Sequence, residues 1–320
     1  MEEQGDMCMR VMKSVAMVII VVLAVSNTVA LAAPLKLGIT WPGESNQAIK
    51  IEEAFRAKIM ELVPDVDLEL QTVPDVEAMS ELIARFEREK DGMIVMRSNG
   101  SQWLIAHPPV IPTFIAGVNH PGLLGVVKNL EAPEGNITGV TYYVPVEKQF
   151  DIFQAILPNL DSVLLLLQEG HASTPLDRTA TQTVCKQLGI TYYEQVCATE
   201  AESIAAVEAY RDKVSAVIIG ANLLNDYAAN IVKAAGHTPV FSFLVIAVNA
   251  GALGGFVADE TIMGHLLAES VVEVLVNGKI INEVPIKMDP DPKFVLNVST
   301  AEKLGINIPY NILQAATIVE

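Results

Sequence analysis

Short apolar runs alternate with longer amphipathic stretches along most of the chain. The runs predict strands, and in the first long stretch Ile49, Ala54, Phe55 and Ile59 give a helix one apolar face. Up to residue 118, this pattern predicts strands at 35–40, 66–73, 92–98 and 110–118, with helices at 44–62, 75–90 and 101–106. Asp75 is the expected N-cap of the second helix.

A second series of the same kind follows residue 143. It predicts strands at 162–168, 190–196, 214–220 and 239–245, and helices at 146–157, 174–188, 200–213, 224–235 and 261–276. Strands that alternate with helices indicate parallel sheets with right-handed crossovers. Unbroken Val/Ile/Leu runs are typical of strands covered on both faces. The predicted fold class is therefore α/β, with two Rossmann-like, doubly wound parallel-sheet lobes.

The stretch KNLEAPEGNITGVTYY, at 128–143, marks the boundary between the two series. It has a Pro/Gly turn and then a strand that enters the second lobe. The tail at 284–309 predicts a further strand and a short helix that pack across both lobes. We therefore expect an N-terminal lobe at 33–143, a C-terminal lobe at 144–265, a segment at 266–320 that crosses back over both, and a multi-strand hinge.

The N-terminal stretch has the pattern of a secretory signal peptide. Arg10 and Lys13 precede an almost wholly apolar run that ends in Ala30-Leu31-Ala32. We expect residues 1–32 to be removed and the protein to be periplasmic or extracytoplasmic. The alternative is a retained membrane anchor, although Asn27 and Thr28 interrupt the apolar run.

Composition narrows the range of partners. The formal net charge is −17, and three acidic and two basic residues among the first 33 leave −16 on the remainder. Because a surface this acidic repels nucleic acid and anionic lipid, we expect no nucleic-acid partner. Cys185 and Cys197 are the cysteines that follow the apolar run, and they are either a disulfide or two small buried groups.

Four segments together resemble one known family. PEGNITGVT, VEKQFDIFQAILPN, GALGGFVADETIMGHLLAESVVEVLVNG and NVSTAEKLGINIP have the order and spacing of the substrate-binding proteins of bacterial ABC transporters, in the group that includes tryptophan and other aromatic amino-acid binders. The resemblance implies the type I periplasmic-binding fold. It also implies three crossings between the lobes and a ligand enclosed between them.

The carboxyl ends of parallel strands and the helix N-termini beside them suggest where such a ligand would bind. On the first lobe, Trp41 could stack on a ring or cover the lobe edge. Glu44 and Ser45 could bind ligand or cap a helix. The best anion-binding turn follows the third strand, and Gly117, Asn119 and Tyr142 complete the rim. The turn consists of Ser98, Asn99, Gly100, Ser101 and Gln102.

On the second lobe, the candidates are Glu169, Asn222 and Asp259. Asp259 aligns with an aspartate of the family and is the preferred acidic candidate. The chain departs from the family at Asn222-Leu223, where an Asp-Asn pair is usual, and at Leu167-Gln168 and His120-Pro121. Because the ammonium of an amino acid must be neutralised when water is excluded, the ligand could instead be a larger apolar carboxylate, an aromatic compound or a nucleobase-like compound.

These observations predict a solute-binding protein of an ABC importer that captures a small molecule by domain closure. The expected partners are that ligand and a membrane permease, with no cofactor and a monomeric state. The alternative is a ligand-sensing module for a membrane kinase or receptor. The five histidines have no metal-ligand spacing, and the sequence has no nucleophile elbow, so we do not expect an enzyme.

Overall fold

The computed structural model describes residues 33–320, and the predicted signal peptide at 1–32 lies outside them. The first part of the described chain alternates strands and helices in the order β1 (Lys36–Thr40), α1 (Asn46–Leu62), β2 (Asp67–Leu70), α2 (Met79–Glu89), β3 (Gly92–Met96), α3 (Ser98–Trp103), β4 (Thr113–Val118) and β5 (Ile137–Thr141).

The second part continues the alternation. Its elements are α4 (Val146–Ile156), β6 (Ser162–Gln168), α5 (Thr174–Leu188), β7 (Thr191–Cys197), α6 (Glu200–Tyr210), β8 (Ala216–Ile219), a 3-10 turn (Leu223–Tyr227), α7 (Ala228–Ala235), β9 (Val240–Ser242), α8 (Val245–Asn249) and β10 (Gly254–Val257). The rest of the chain forms α9 (Glu260–Val271), a π-helical turn (Val272–Val276), a 3-10 turn (Ile281–Glu283), β11 (Lys287–Met288), β12 (Lys293–Asn297), α10 (Val298–Leu304), α11 (Tyr310–Ala315) and β13 (Thr317–Val319).

The strands form two sheets, which are the basis of the two lobes. The first sheet has the order β11-β5-β4-β3-β1-β2, and the second has the order β13-β12-β10-β9-β8-β6-β7. Every pairing is parallel except that of β10 with β12. Helices lie between successive strands, so two mostly parallel α/β sheets confirm the predicted fold class.

The chain passes between the sheets three times, after β5, after β10 and after β11. The second passage brings α9 onto α1 of the first lobe. Their backbones approach so closely that a Cβ atom at Gly264 would lie 2.6 Å from the Cβ atom of Ala54. Buried Met263 and Leu267 flank this contact and join a core that continues through Val144 and Phe150 into the second lobe.

Local sequence signals account for several element ends. Ser45 caps α1 by accepting a hydrogen bond from the Ala48 N–H, and Asn297 caps α10 in the same way. Helix α5 has a proline in its first turn and ends at Gly189, which adopts the left-handed conformation that glycine tolerates best. These ends match the predicted helix at 174–188.

Other element predictions were wrong at their boundaries. Helix α2 begins at Met79 rather than at 75, because Asp75 accepts its hydrogen bond from Ala78 within a preceding turn. The predicted helix at 101–106 begins instead at Ser98. The predicted helix at 224–235 divides into a 3-10 turn and α7, and the one at 261–276 becomes a π-helical turn after Val271.

Cys185 and Cys197 are both buried and free, so the structure has the second of the two arrangements considered for them. Burial raises the pKa of the Cys185 thiol to about 12 and contributes most to raising that of Cys197 to about 11.

Within residues 33–320, each helix is too short or too polar to cross a lipid bilayer.

Candidate functional site

A narrow cavity lies between the lobes, at the carboxyl ends of strands from both sheets. The space between its walls is about 400 Å³ when the solvent at its mouth is included, and the centre of a water molecule can occupy about 30 Å³ of it. Its walls combine residues of both lobes: Ser45, Asn46, Gln47, Arg97, Ser98, Gly117, Tyr142, His171, Ala221, Asn222, Leu223, Asn225, Asp226, Leu244 and Ile246. The lobes therefore lie close together around a polar site.

Hydrogen bonds join the lobes at two edges of this cavity. At one edge, the Asn46 amide donates to the carboxylate of Asp226 over 3.1 Å. At another, the Asn99 side-chain oxygen accepts from the Ala172 N–H at 2.9 Å. Because each of these bonds spans the interlobe gap, separating the lobes would break them.

A second group of cross-lobe contacts surrounds Asp177, in the first turn of α5. The Asn119 amide of the first lobe donates to its carboxylate over 3.1 Å, and the Ala221 N–H of its own lobe donates to it over 2.7 Å. Burial raises the pKa of Asp177 to about 7 despite these two donors. Close by, the hydroxyl of Ser173 donates to that of Ser98 across 3.3 Å.

Arg97 has the least common backbone conformation of the cavity wall. Its φ and ψ are 73° and 152°, a combination that glycine adopts far more readily than other residues. Its N–H donates to the Ala116 carbonyl and its own carbonyl accepts from Ser101, each over 2.9 Å, so strand β4 and helix α3 hold it there. Such a conformation costs about 1–3 kcal/mol.

The guanidinium of Arg97 is buried, with 8% of the residue exposed. It donates to the Pro42 carbonyl, and no carboxylate of residues 33–320 forms an ion pair with it. Burial lowers its pKa, yet an arginine stays protonated at neutral pH. The cavity wall therefore contains a buried positive charge with N–H groups left to donate.

His171 lies on the opposite wall. Burial and the nearby charge of Arg97 lower its pKa to about 4, so its imidazole is neutral at physiological pH. Its Nδ1 lies 3.2 Å from the N–H of Ser173 and accepts from it. The remaining ring nitrogen then carries the hydrogen and is a further donor.

Most of the chain matches one sequence family. The family is described as ABC transporter substrate binding protein, and the match covers residues 51–320. The chain belongs to this family. As expected of a substrate-binding protein, its cavity lies between two lobes and is lined by both. Among the described residues, no cluster of histidine, cysteine or carboxylate side chains has the geometry of a metal site.

This substrate-binding protein is similar to several proteins whose ligands or structures are known. It is 21% identical over 236 residues to a tyrosine-binding protein of Clostridioides difficile, a region that covers 72% of this chain and 68% of the relative. Its fold is similar to that of an ABC domain from Streptococcus pneumonia solved in complex with L-Trp, with a TM-score of 0.81, 20% identity, and coverage of 90% of this chain and 100% of the other.

A third similar protein is a ligand-free, open substrate-binding protein with adhesive properties from Clostridium difficile. The TM-score is 0.72 at 20% identity, and the match covers 89% of this chain and 99% of the other. The two solved structures support the type I periplasmic-binding architecture that the resemblance implied.

The structure brings five of the sequence-predicted candidates together at the cavity. They are Ser45, Ser98, Gly117, Tyr142 and Asn222. Ser45 and Asn222 also cap helical turns, so the binding and capping roles considered for Ser45 are compatible in position. Asn119 and Asn99 lie just beyond the cavity, where both bridge the lobes.

The other candidates lie elsewhere. Trp41, 3% exposed, is packed in the first-lobe core, and Gly100 and Ser101 are buried in α3 behind the cavity wall. Gln102 borders a separate apolar groove with Leu176 and Leu124.

The acidic candidates also lie outside the cavity wall. Glu44 and Glu169 are exposed to solvent. Asp259 is exposed and caps α9, accepting from the N–H groups of Thr261 and Ile262. It therefore has a structural role at the helix start.

Among the wall residues that were not predicted from the sequence are Arg97, His171, Asn225 and Asp226, and Asp177 beside the cavity was not predicted either. Arg97 had a usable signal. It directly follows the wholly buried strand Gly92–Met96, so a charged side chain stands where the chain leaves the sheet toward the cleft. Asp177 had none, because an acidic residue in the first turn of a helix is ordinary.

Proposed function

We propose that this substrate-binding protein is the extracytoplasmic component of an ABC importer and captures a small molecule by closing its two lobes. The observation that carries the proposal is the shared cavity, whose walls come from both lobes and whose edges are joined by direct hydrogen bonds. A site built from two lobes is complete only when they meet, so ligand binding and lobe closure favour each other.

The dimensions of the cavity support a capture mechanism. About 30 Å³ accessible to water centres has room for about two water molecules. An organic ligand therefore enters only after the lobes separate. The three passages of the chain between the sheets allow bending but keep the lobes aligned.

The ligand class we propose is an aromatic or apolar carboxylate or a compound similar to an amino acid. Two relatives support this range, since one is named a tyrosine-binding protein and another was solved with L-Trp. The buried Arg97 adds a group that suits a carboxylate.

The proposed partner is a membrane permease that recognises the closed form. The family of ABC transporter substrate-binding proteins supports this partner, and the pattern of residues 1–32 supports an extracytoplasmic location. We propose that the protein binds its ligand without chemical change.

The test is a ligand screen followed by a measurement of shape. Purified protein is screened by thermal shift against amino acids, aromatic acids and aliphatic acids, and hits are examined by small-angle scattering. We expect at least one compound to raise the melting temperature and to shift the scattering toward a more compact form. Mass spectrometry of the mixture after prolonged incubation should recover the compound unchanged.

The Asn99→Ala variant is measured beside the natural protein, because it removes one cross-lobe hydrogen bond outside the cavity wall. Glu44→Gln, which changes an exposed side chain of the same lobe, is its control. A hit that leaves the scattering curve unchanged would contradict capture by closure, and consumption of the compound would indicate an enzyme.

A further inference from the structure

The cavity has an unequal charge distribution. Of the described residues that line it, Arg97 and Asp226 are charged, and they differ in exposure. Asp226 is exposed at the edge of the cavity, where its carboxylate accepts from Asn46. Arg97 is buried and contacts the protein through the Pro42 carbonyl. Burial lowers the pKa of its guanidinium, and the charge of Asp226 acts on it from the cavity edge with a smaller, raising effect. The positive charge therefore lies deeper in the cavity than the negative one.

No other lining group of the described chain offsets that charge at neutral pH. His171 is neutral because its pKa is lowered to about 4, and Tyr142 stays protonated because its pKa is raised to about 12. The Asn222 amide, which could otherwise meet a ligand ammonium through its oxygen, accepts from Leu224 and donates to Leu166. A ligand ammonium would thus find no buried anion in this wall.

The surrounding backbone makes room for the guanidinium. A Cβ atom at Gly43 would lie 2.9 Å from Nη1 of Arg97, so a larger residue there would displace the side chain. Arg97 itself holds a backbone conformation that favours glycine. An arginine kept at so unfavourable a position, buried and without a carboxylate partner among residues 33–320, indicates a functional use for its charge.

We propose that Arg97 binds the carboxylate of the ligand, and that the preferred ligand is an organic acid without an ammonium group. Its planar guanidinium would donate to the carboxylate through parallel N–H···O hydrogen bonds, the geometry that this pair of groups favours. His171 offers a neighbouring N–H donor. This inference rests on the proposed function, since it names the ligand class of the same cavity.

The experiment uses matched sets of compounds and the full mature protein. Hydroxyphenylpropionate, tyrosine and tyramine share one ring but carry a carboxylate alone, both charged groups, or an ammonium alone. Indolepropionate, tryptophan and tryptamine form a second set. Calorimetry should show the acid binding at least about 30-fold more tightly than the amine, and more tightly than the amino acid.

Three variants separate the contribution of Arg97 from general effects. Arg97→Gln removes the charge with little loss of volume, and Arg97→Gly removes it in the residue type that the backbone favours, so at least one is expected to fold. Arg88→Gln removes a positive charge from an exposed helical position of the same lobe. We expect both Arg97 variants to weaken acid binding by at least about 30-fold and the Arg88 variant to bind normally.

The alternative outcomes separate the two proposals. Tighter binding of an amino acid or amine than of its matched acid would overturn the role of Arg97 while leaving capture by closure intact. Unchanged acid affinity in both Arg97 variants would do the same. If neither acid binds, the inference fails as well, and the proposed function is judged by the broader screen described above.

Discussion

The two walls of the cavity use their polar groups in different ways. On the first lobe, the side chain of Arg97 has one hydrogen bond to the rest of the described chain, from its guanidinium to the Pro42 carbonyl. On the second lobe, Asn225 donates to the Gly220 and Asn222 carbonyls and accepts from Ser242, so its amide is fully engaged. The first wall therefore offers a charged group that is available to a ligand, whereas the Asn222 and Asn225 amides of the second wall are engaged within their own lobe.

This difference suggests a division of roles during capture. The charged group that selects a ligand stays on a lobe whose rim is shaped before closure, by Gly43, Pro42 and strand β4. The opposite lobe adds polar side chains that are held by their own lobe, together with the carboxylates of Asp226 and Asp177, which accept hydrogen bonds across the gap. Selectivity and closure would then depend on different residues, which can be tested separately.

Asp177 should give the largest measurable effect. Burial raises its pKa to about 7, so at pH values between its ordinary pKa and about 7 the folded protein keeps a proton that the unfolded chain has released. Stability contributed by this group is therefore lost as pH rises through that window, by at most about 4 kcal/mol. Tyr142 and Tyr143 near it do not titrate there, because their pKa values are raised.

The measurement is the free energy of unfolding in urea at about pH 5 and about pH 8, for the natural protein and for Asp177→Asn. The difference between the two proteins should shift in favour of the variant as pH rises. Comparing the proteins removes the opposite effect of His171, whose lowered pKa makes stability fall as pH decreases. Parallel pH profiles for the two proteins would show that Asp177 is not the group responsible.

The backbone of Arg97 should give the next largest effect. Arg97→Gly and Arg97→Ala both remove the guanidinium, and they differ in how well they tolerate a φ of 73°. We expect the glycine variant to be more stable than the alanine variant by about 1–3 kcal/mol, as measured by urea unfolding. Equal stabilities would mean that the backbone at this position is relaxed.

A substitution at Gly43 tests the surroundings of the Arg97 guanidinium from a neighbouring loop. Gly43→Ala places a methyl group 2.9 Å from the Arg97 guanidinium at a φ of 70°, so we expect a loss of about 1 kcal/mol in stability and weaker acid binding. In the Arg97→Gly background the same change should be less destabilising, because the contact is absent. A double-mutant cycle measures this coupling, and additive effects would contradict it.

The smallest expected effect concerns His171. The charge of Arg97 contributes to its lowered pKa, so Arg97→Gln should raise the pKa of His171 toward its ordinary value. Nuclear magnetic resonance of the imidazole C–H protons during a pH titration reports this change directly. An unaltered titration would place the two side chains too far apart to act on one ligand group together.

The fold could be predicted from the sequence because its signals are local and repeated. The buried strand Ser162–Gln168 matches its predicted limits because an unbroken apolar run defines it. The helix Thr174–Leu188 does so because a proline marks its first turn and Gly189 its end. The start of helix α2 was missed because the expected Asp75 bond to the Ala78 N–H closes a turn that precedes the helix, and the helix itself begins at Met79. The predicted limits of the lobes stay predictions.

The site was only partly predictable, because its members depend on which way each rim side chain points. Trp41 and Ser98 both follow first-lobe strands, yet Trp41 turns into the core while Ser98 lines the cavity. Asp259 matches the expected position at a strand end and still lies outside the cavity. A position at the carboxyl end of a strand identifies a candidate site residue. Its burial and its hydrogen bonds then decide whether it lines the cavity.

The return of α9 to the first lobe has a consequence for synthesis. One face of α1, at Ala54 and at backbone atoms of Ile51 and Phe55, packs against a helix that begins more than 200 residues later in the chain, at Glu260. A ribosome would release most of the polypeptide before that face could be covered. We therefore expect truncated proteins that end before residue 260 to aggregate, and the two lobes to fold as one cooperative unit.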